Sequence, residues 1–167
     1  MRCSTRRFGP GFVQPGRLHL WDRIEKSVPL AAPVERVWRA LTEPAEFGAW
    51  FRAELDAPFE RGKTTGGRMT YPGYEHLRWK AEVETMEAPR LFSFRWHPYA
   101  IDPEVDYSSE PMTLVEFRLE AEGDGTRLTV TESGFGALPP HRRTEALPIT
   151  DAGWAHQMRN IAKHLGG

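Results

Sequence analysis

The segment APFERGKTTGG, residues 57–67, has the spacing at which a nucleotide-binding P-loop presents its lysine and hydroxyl side chains. In a P-loop, a glycine-rich turn follows a buried strand and opens onto a helix N-terminus, where backbone N–H groups bind phosphate. Here Pro58 has no N–H, Glu60 would place a carboxylate beside the phosphates, and the residues after Thr65 are typical of a strand. We therefore predict a turn between two antiparallel strands and no nucleotide site.

The other residue types that support catalysis or metal binding lack a suitable spacing. The six histidines form no HExxH motif, no cluster with cysteine and no pair one helical turn apart. Ser133 lies in ESGFG, which does not fit the Gly-x-Ser-x-Gly nucleophile elbow. Cys3 is the only cysteine, so no intrachain disulfide can form. We expect no metal site, no cofactor and no serine-hydrolase chemistry.

One ionisable side chain, that of Glu132, is predicted to face the interior. In GTRLTVTESGF, Leu128 and Val130 alternate with polar residues, and continuing this period of two carries Glu132 onto the apolar face. A one-residue bulge before Gly134 would instead turn it toward solvent. An inward carboxylate must hold a proton or find a donor. The donors we consider are Tyr71, His97, Trp154 and a bound water molecule.

Glu132 is therefore our candidate for the polar group that orients a ligand, or for a general acid or base if the protein is an enzyme. We predict that Glu132→Gln preserves the fold and alters ligand affinity or its pH dependence.

The elements that position these residues follow from the apolar periodicity. WDRIEKSVPL alternates as a strand, and APVERVWRALTEPAEFGAWF has helical spacing interrupted at Pro44, which predicts two short helices. TDAGWAHQMRNIAKHLGG, at the end of the chain, predicts a long helix with one apolar stripe. Between them, six strands are predicted at Phe51 to Asp56, Gly67 to Tyr71, Leu77 to Glu87, Arg90 to His97, Met112 to Glu120 and Thr126 to Ser133. This order indicates an α+β fold, an antiparallel meander covered by the terminal helix.

The inward positions of these strands carry many wide or flexible side chains. Core packing accounts for much of this pattern, but such groups fill a dry core less uniformly than Leu, Ile and Val do, which favours a cavity near the helix. Our candidate cavity residues are Trp50, Tyr71, Trp79, Trp96, Phe117, Glu132, Trp154 and Met158.

Two connections are candidates for the border of the cavity mouth. YAIDPEVDYSSEP, residues 99–111, is long and acidic, and GALPPHRR, residues 136–143, is predicted to be a rigid basic loop before the last helix. Long loops in compact domains are often lids, although they also tolerate insertions. We expect an attraction between Arg142 or Arg143 and the acidic loop.

Composition limits the partners and the location. Lysine and arginine number 22 against 23 aspartates and glutamates, which gives no field that would gather nucleic acid or an anionic membrane. Residues 1–20 hold four arginines and no acid, and they lack an apolar run long enough for a signal peptide or a transmembrane helix. We predict a poorly ordered basic tail over residues 1–20, one domain over residues 21–167, and a cytoplasmic location. A transit peptide or a basic interaction arm is the alternative for the tail.

Five segments, in their order along the chain, resemble the START-like superfamily, also called SRPBCC or helix-grip. They are VPLAAPVERVWRALTEPAEFGAWF, GGRMTYPG, EVETMEAPRLFSFRWHP, GDGTRLTVTESGF and the GW that opens the last helix. The most similar branch is the bacterial homologues of the activator of the heat-shock-protein-90 ATPase, or AHSA-like proteins. The resemblance implies a helix-grip fold, with a curved sheet wrapped around the C-terminal helix and an apolar cavity between them. It implies no particular ligand, because members bind varied apolar molecules and some are cyclases or hydrolases.

Three functions are compatible with these observations. The leading one is binding of a small hydrophobic or aromatic molecule in the cavity, by a protein that is not an enzyme. The resemblance also implies two alternatives, a cochaperone that stimulates a heat-shock chaperone ATPase in a stress response, and a cofactor-free enzyme of the cyclase or dehydratase type. Charged residues on the first strand disfavour uncontrolled edge pairing, so we expect a monomer or a homodimer.

Overall fold

The alternating segment near the start of the domain forms an edge strand of the sheet. In the computed structural model, which describes residues 22–166, β1 (Arg23–Leu30) buries Ile24 and Leu30, exposes Arg23 and Glu25, and leaves Lys26 half-buried. Arg23 forms an ion pair with Glu25 on the same strand, and Lys26 forms one with Asp151. The basic tail predicted for residues 1–20 lies outside the described residues.

Two short helices follow β1, as the periodicity predicts. They are α1 (Val34–Thr42) and α2 (Pro44–Phe51), and Pro44 begins the second helix because the fixed φ of proline suits a first turn and its missing N–H costs nothing there. Val37 and Leu41 of α1 are fully buried. The indole Nε1 of Trp50 donates a hydrogen bond of 2.8 Å to the carbonyl of Ala40, which joins the two helices.

Six more strands complete a curved antiparallel sheet. They are β2 (Ala53–Leu55), β3 (Thr64–Met69), β4 (Arg78–Glu87), β5 (Leu91–Trp96), β6 (Thr113–Glu122) and β7 (Gly125–Ser133). The strand order is β1-β7-β6-β5-β4-β3-β2, so β2 to β7 form a meander and β1 pairs with the last strand. The α+β helix-grip fold predicted from the sequence, with about seven strands, is confirmed.

The P-loop-like segment joins β2 to β3, as predicted. Thr64 and Thr65 begin β3 instead of opening a helix, and Lys63 forms an ion pair with Glu60. The glycines there serve the sheet, because a Cβ at Gly67 would collide with the carbonyl oxygen of Glu54 on the paired strand. Residues 57–67 therefore form no helix N-terminus that could bind phosphate.

The C-terminal helix, α3 (Pro140–His164), is longer than the sequence predicts. The segment 136–143, expected to be a rigid basic loop, instead divides between a short 3-10 helix (Phe135–Ala137) and the first turn of α3. Pro148 lies inside the helix, although proline cannot donate the usual backbone hydrogen bond and normally ends a helix. Tertiary contacts of Arg142, described below, hold this first part of α3, and local propensity cannot reveal them.

The predicted apolar stripe of α3 packs on the sheet. Trp154, Met158 and Ile161 are buried, and the ring of Trp154 meets that of Phe117 on β6 at a centroid distance of 5.6 Å. The buried hydrophobic residues between this stripe, α1 and the sheet form one cluster. No helix within residues 22–166 is long and apolar enough to cross a membrane.

Candidate functional site

Two adjoining pockets form a groove, and the first of them lies beside the middle of α3. Their volumes are about 290 Å³ and about 420 Å³. The two pockets share one wall, and we call them the first and second pockets in this order. The wall consists of Phe51, Met69, Tyr74, Trp96, Tyr99 and Ile101.

Aromatic rings are prominent in the lining of the first pocket. Trp96 and Trp154 line it together, with their ring centroids 5.8 Å apart, and Phe51 lies 6.2 Å from Trp96. At the rim, Tyr71 and Tyr74 are 40% and 45% exposed, which is high for large hydrophobic side chains of a folded domain. The pocket is therefore a slot suited to a flat apolar group.

Each wall of the first pocket comes from a different element. The β3–β4 connection supplies Tyr71 and Tyr74, the end of β5 supplies Trp96, and α3 supplies the segment from Ile149 to Gln157. Gln157 is fixed by a hydrogen bond of 3.1 Å from its Nε2 to the carbonyl of Phe51. This bond joins α3 to the end of α2 at the inner side of the pocket.

The second pocket lies where β4 and β5 separate. Their pairing ends at Glu82 and Arg95, and beyond this point Trp79 and Lys80 on β4 line the pocket together with the chain after Trp96. His97 also lines this pocket. Burial lowers the pKa of His97, and the carboxylate of Glu110 opposes this shift.

A loop closes one side of both pockets, and Arg142 of α3 binds it. The β5–β6 loop (residues 97–112) contributes Tyr99 and Ile101 to the shared wall. Arg142 of α3 is buried and donates to the carbonyls of Pro98 and Tyr99, at 2.7 and 3.2 Å. Its Nε also donates to Oε1 of Glu110, at 3.0 Å. The expected attraction between this arginine and the acidic loop is confirmed.

Glu132 lies behind the groove and is fully buried, on the face that the alternation predicts. Pairing of β7 with β1 and β6 continues to Ser133 without a register shift, so no bulge turns the side chain outward. Its two carboxylate oxygens accept hydrogen bonds of 2.8 Å each, from Oγ1 of Thr113 and from Nε1 of Trp154. Of the donors considered from the sequence, Trp154 is the one used.

Burial raises the pKa of Glu132 to about 6, although the hydrogen bonds from Trp154 and Thr113 favour its ionised form. The indole of Trp96 also favours the ionised carboxylate, but it forms no hydrogen bond of ordinary geometry. Two indoles of the first pocket, Trp96 and Trp154, therefore interact with one buried carboxylate. Glu132 is a support for the pocket and does not line it.

The structure separates the eight predicted cavity residues into two groups. Tyr71, Trp96 and Trp154 line the first pocket, and Trp79 and Trp96 line the second. The remaining predicted residues, which lie in the core outside both linings, are Trp50, Phe117, Glu132 and Met158. An inward position in a strand or helix does not distinguish a covered ring from one that borders an open space.

Sequence reasoning missed several lining residues. Phe51, Tyr74, Tyr99 and Ile101 lie at element ends or in connections, where no periodicity assigns a face. Ile149 lies in the part of α3 that precedes the predicted helix. The sequence feature that could have indicated Tyr99 and Ile101 is the acidic loop, which was predicted to border the cavity mouth. Within residues 22–166, no group of three or more His, Cys, Asp or Glu is arranged to hold a metal ion.

The sheet, the helix across it and the groove between them define a START-like domain of the ligand-binding type. Residues 31–166 match the family model described as Activator of Hsp90 ATPase homolog 1-like protein, and the chain belongs to this family. No curated protein matches the chain.

Solved structures with the same fold include three that differ in origin. DynU16, from the dynemicin biosynthetic locus, is 26% identical to this chain, with a TM-score of 0.68. The alignment covers 87% of this chain and 47% of the DynU16 chain. This chain thus spans about half the length of DynU16. MLL2253 from Mesorhizobium loti is 23% identical, with a TM-score of 0.68 over 86% of this chain and 96% of its own. The Aha1 dimer from Colwellia psychrerythraea is 16% identical, with a TM-score of 0.65, and the alignment covers 86% of this chain and 95% of the Aha1 chain.

Proposed function

We propose that this domain binds a small, largely aromatic molecule in the groove between the sheet and α3, and that it does so without a cofactor or metal. The observation that carries the proposal is the aromatic slot of the first pocket, which adjoins a second pocket of about 420 Å³. Small-molecule sites are concave, mostly apolar and of order 300–1,000 Å³, with a few polar groups that set orientation. The likeness to DynU16, a protein from a biosynthetic locus, also supports a small-molecule ligand.

In this proposal, Glu132 acts through its neighbours. Its carboxylate holds the indole of Trp154 in place and lines neither pocket, so a bound molecule meets the oriented rings first. A general acid or base must reach the reacting atom within hydrogen-bond distance. The enclosed position of Glu132 therefore favours a binding function over a cyclase or dehydratase.

Gly153 offers a substitution that separates binding from folding. This glycine lies in α3 and lines the first pocket, and a Cβ built on it meets no atom within 4 Å. We expect Gly153→Leu to fill part of the slot and weaken binding of N-phenyl-1-naphthylamine, a neutral fluorescent aromatic probe, by about tenfold. The same change is expected to stabilise the protein by about 0.5–1 kcal/mol, because glycine in a helix interior is unfavourable.

The matched control is Gly153→Ala, which brings the same helical gain with little loss of pocket volume. Fluorescence titration measures the affinity of each variant, and thermal unfolding measures its stability. Equal probe affinity in Gly153→Leu and wild type would contradict the assignment of this groove.

A second candidate function comes from the family description, which names an activator of the Hsp90 ATPase. A cochaperone of this kind acts through its surface on a heat-shock chaperone and needs no ligand in the groove. The ATPase rate of the host's own chaperone, measured with and without this protein, tests it directly. A rate that rises with wild type and equally with Gly153→Leu would support the cochaperone function and assign it to a surface outside the groove.

A further inference from the structure

The second pocket differs from the first in its charge. Arg78, Lys80 and His97 contribute to its lining, and no aspartate or glutamate does. Arg78 forms an ion pair with Asp56, whereas Lys80 forms none with any residue from 22 to 166. Two carboxylates interact electrostatically with His97, those of Glu110 and Glu82. Glu110 already forms an ion pair with Arg142, and Glu82 is exposed. The positive charge of Lys80 is thus the uncompensated charge of this pocket.

Two nitrogen atoms in the same lining are buried and lack a hydrogen-bond partner among the described residues. They are Nε1 of Trp79 and Nδ1 of His97, whereas the indole of Trp96 interacts with Glu132. An indole N–H can only donate, so it is satisfied only by an acceptor atom. Buried polar groups are almost always paired, and unpaired ones mark sites where a ligand, water or ion completes the bonding. Trp79 is 6% exposed, and its Nε1 has no acceptor among the described residues.

We propose that the ligand of the groove is an aromatic molecule that carries an anionic oxygen group, such as a carboxylate, sulfonate or phenolate. This inference rests on the proposed function and adds the chemical class of the ligand. The aromatic body occupies the first pocket, and the oxygen group enters the second, where it meets Lys80 and the unpartnered N–H groups. The shared wall of Phe51, Trp96 and Tyr99 lets one molecule extend through both pockets.

Two fluorescent probes with the same aromatic body test this assignment. 8-Anilinonaphthalene-1-sulfonate carries a sulfonate, and N-phenyl-1-naphthylamine lacks it. We expect Lys80→Gln to weaken binding of the sulfonate probe by about fivefold and to change binding of the neutral probe by less than about twofold. Lys80→Arg, which retains the charge, is expected to restore most of the affinity for the sulfonate probe. The control Lys163→Gln makes the same charge change on an exposed part of α3 outside both pockets.

The outcomes separate this inference from the proposed function. Loss of affinity for the sulfonate probe alone, in Lys80→Gln and not in Lys163→Gln, supports the anionic class. A different result would overturn the anionic class and keep the proposed function. In that result, both probes compete for a groove that Gly153→Leu blocks, and Lys80→Gln leaves both affinities unchanged. If wild type binds neither probe, both proposals fail.

Discussion

Replacing Arg142 with methionine is expected to lower the free energy of unfolding by about 3 kcal/mol, because it leaves a partly buried carboxylate and two carbonyls without their donor. The guanidinium bonds to Glu110, Pro98 and Tyr99, as described above. It also lies 4.7 Å from the ring centroid of Tyr107, a distance at which a cation is attracted to an aromatic face. One side chain thus holds both ends of the β5–β6 loop against α3.

Urea unfolding measures the free energy of unfolding of Arg142→Met and of the control variant Arg159→Met. Arg159 is exposed on the same helix, so the control makes the same replacement without breaking the loop contacts. Arg142→Lys is expected to be intermediate, since an ammonium retains the charge but cannot form the planar set of bonds. Because Tyr99 and Ile101 border the groove, Arg142→Met is also expected to weaken binding of N-phenyl-1-naphthylamine. If Arg142→Met is no less stable than Arg159→Met, the loop is held by other contacts.

Replacing Glu132 with glutamine is expected to change how stability depends on pH. Glutamine has nearly the same shape, its carbonyl can accept from Trp154, and its amide can donate to the hydroxyl of Thr113. The fold should therefore be preserved. The pKa of Glu132 in the folded protein is about 6 against an ordinary 4.5, so the native state holds its proton more tightly than the unfolded chain.

The direction follows from proton linkage. The raised pKa of Glu132 adds to the free energy of unfolding, and this contribution is fully present below pH 4.5 and is lost as the pH rises through about 6. The whole contribution corresponds to about 2 kcal/mol. Glutamine does not titrate and has no such loss. Between pH 4 and pH 8, the stability of Glu132→Gln relative to wild type is therefore expected to rise by about 2 kcal/mol.

Chemical denaturation at several pH values measures this difference, since the titration of the other carboxylates cancels between the two proteins. Glu120→Gln removes an exposed carboxylate from the neighbouring strand β6 and is expected to follow the wild-type profile. Parallel profiles for Glu132→Gln and wild type would show that the buried carboxylate does not titrate in this range. Probe titrations at the same pH values test whether ligand affinity follows the charge of Glu132.

Regular periodicity was sufficient to predict the order of elements in this protein. A period of two identifies a half-buried strand and a period near 3.6 a packed helix, wherever the chain stays in one conformation for several residues. The same reasoning placed Glu132 inside, because β7 keeps its register to Ser133. The P-loop-like segment was also interpreted correctly, since Pro58 and the strand that follows it are local features.

The boundaries of α3 and the lining of the groove were decided by tertiary contacts. The sequence pattern placed the last helix from Thr150 onward, but Arg142 binds loop residues that lie 32 and 44 positions earlier in the chain and stabilises the preceding turns. Phe117 and Trp96 both occupy inward positions of strands, yet α3 covers the first and leaves the second beside an open space. Side-chain alternation assigns a face of the sheet, and only the packing of one element on another decides whether that face is filled or forms a pocket.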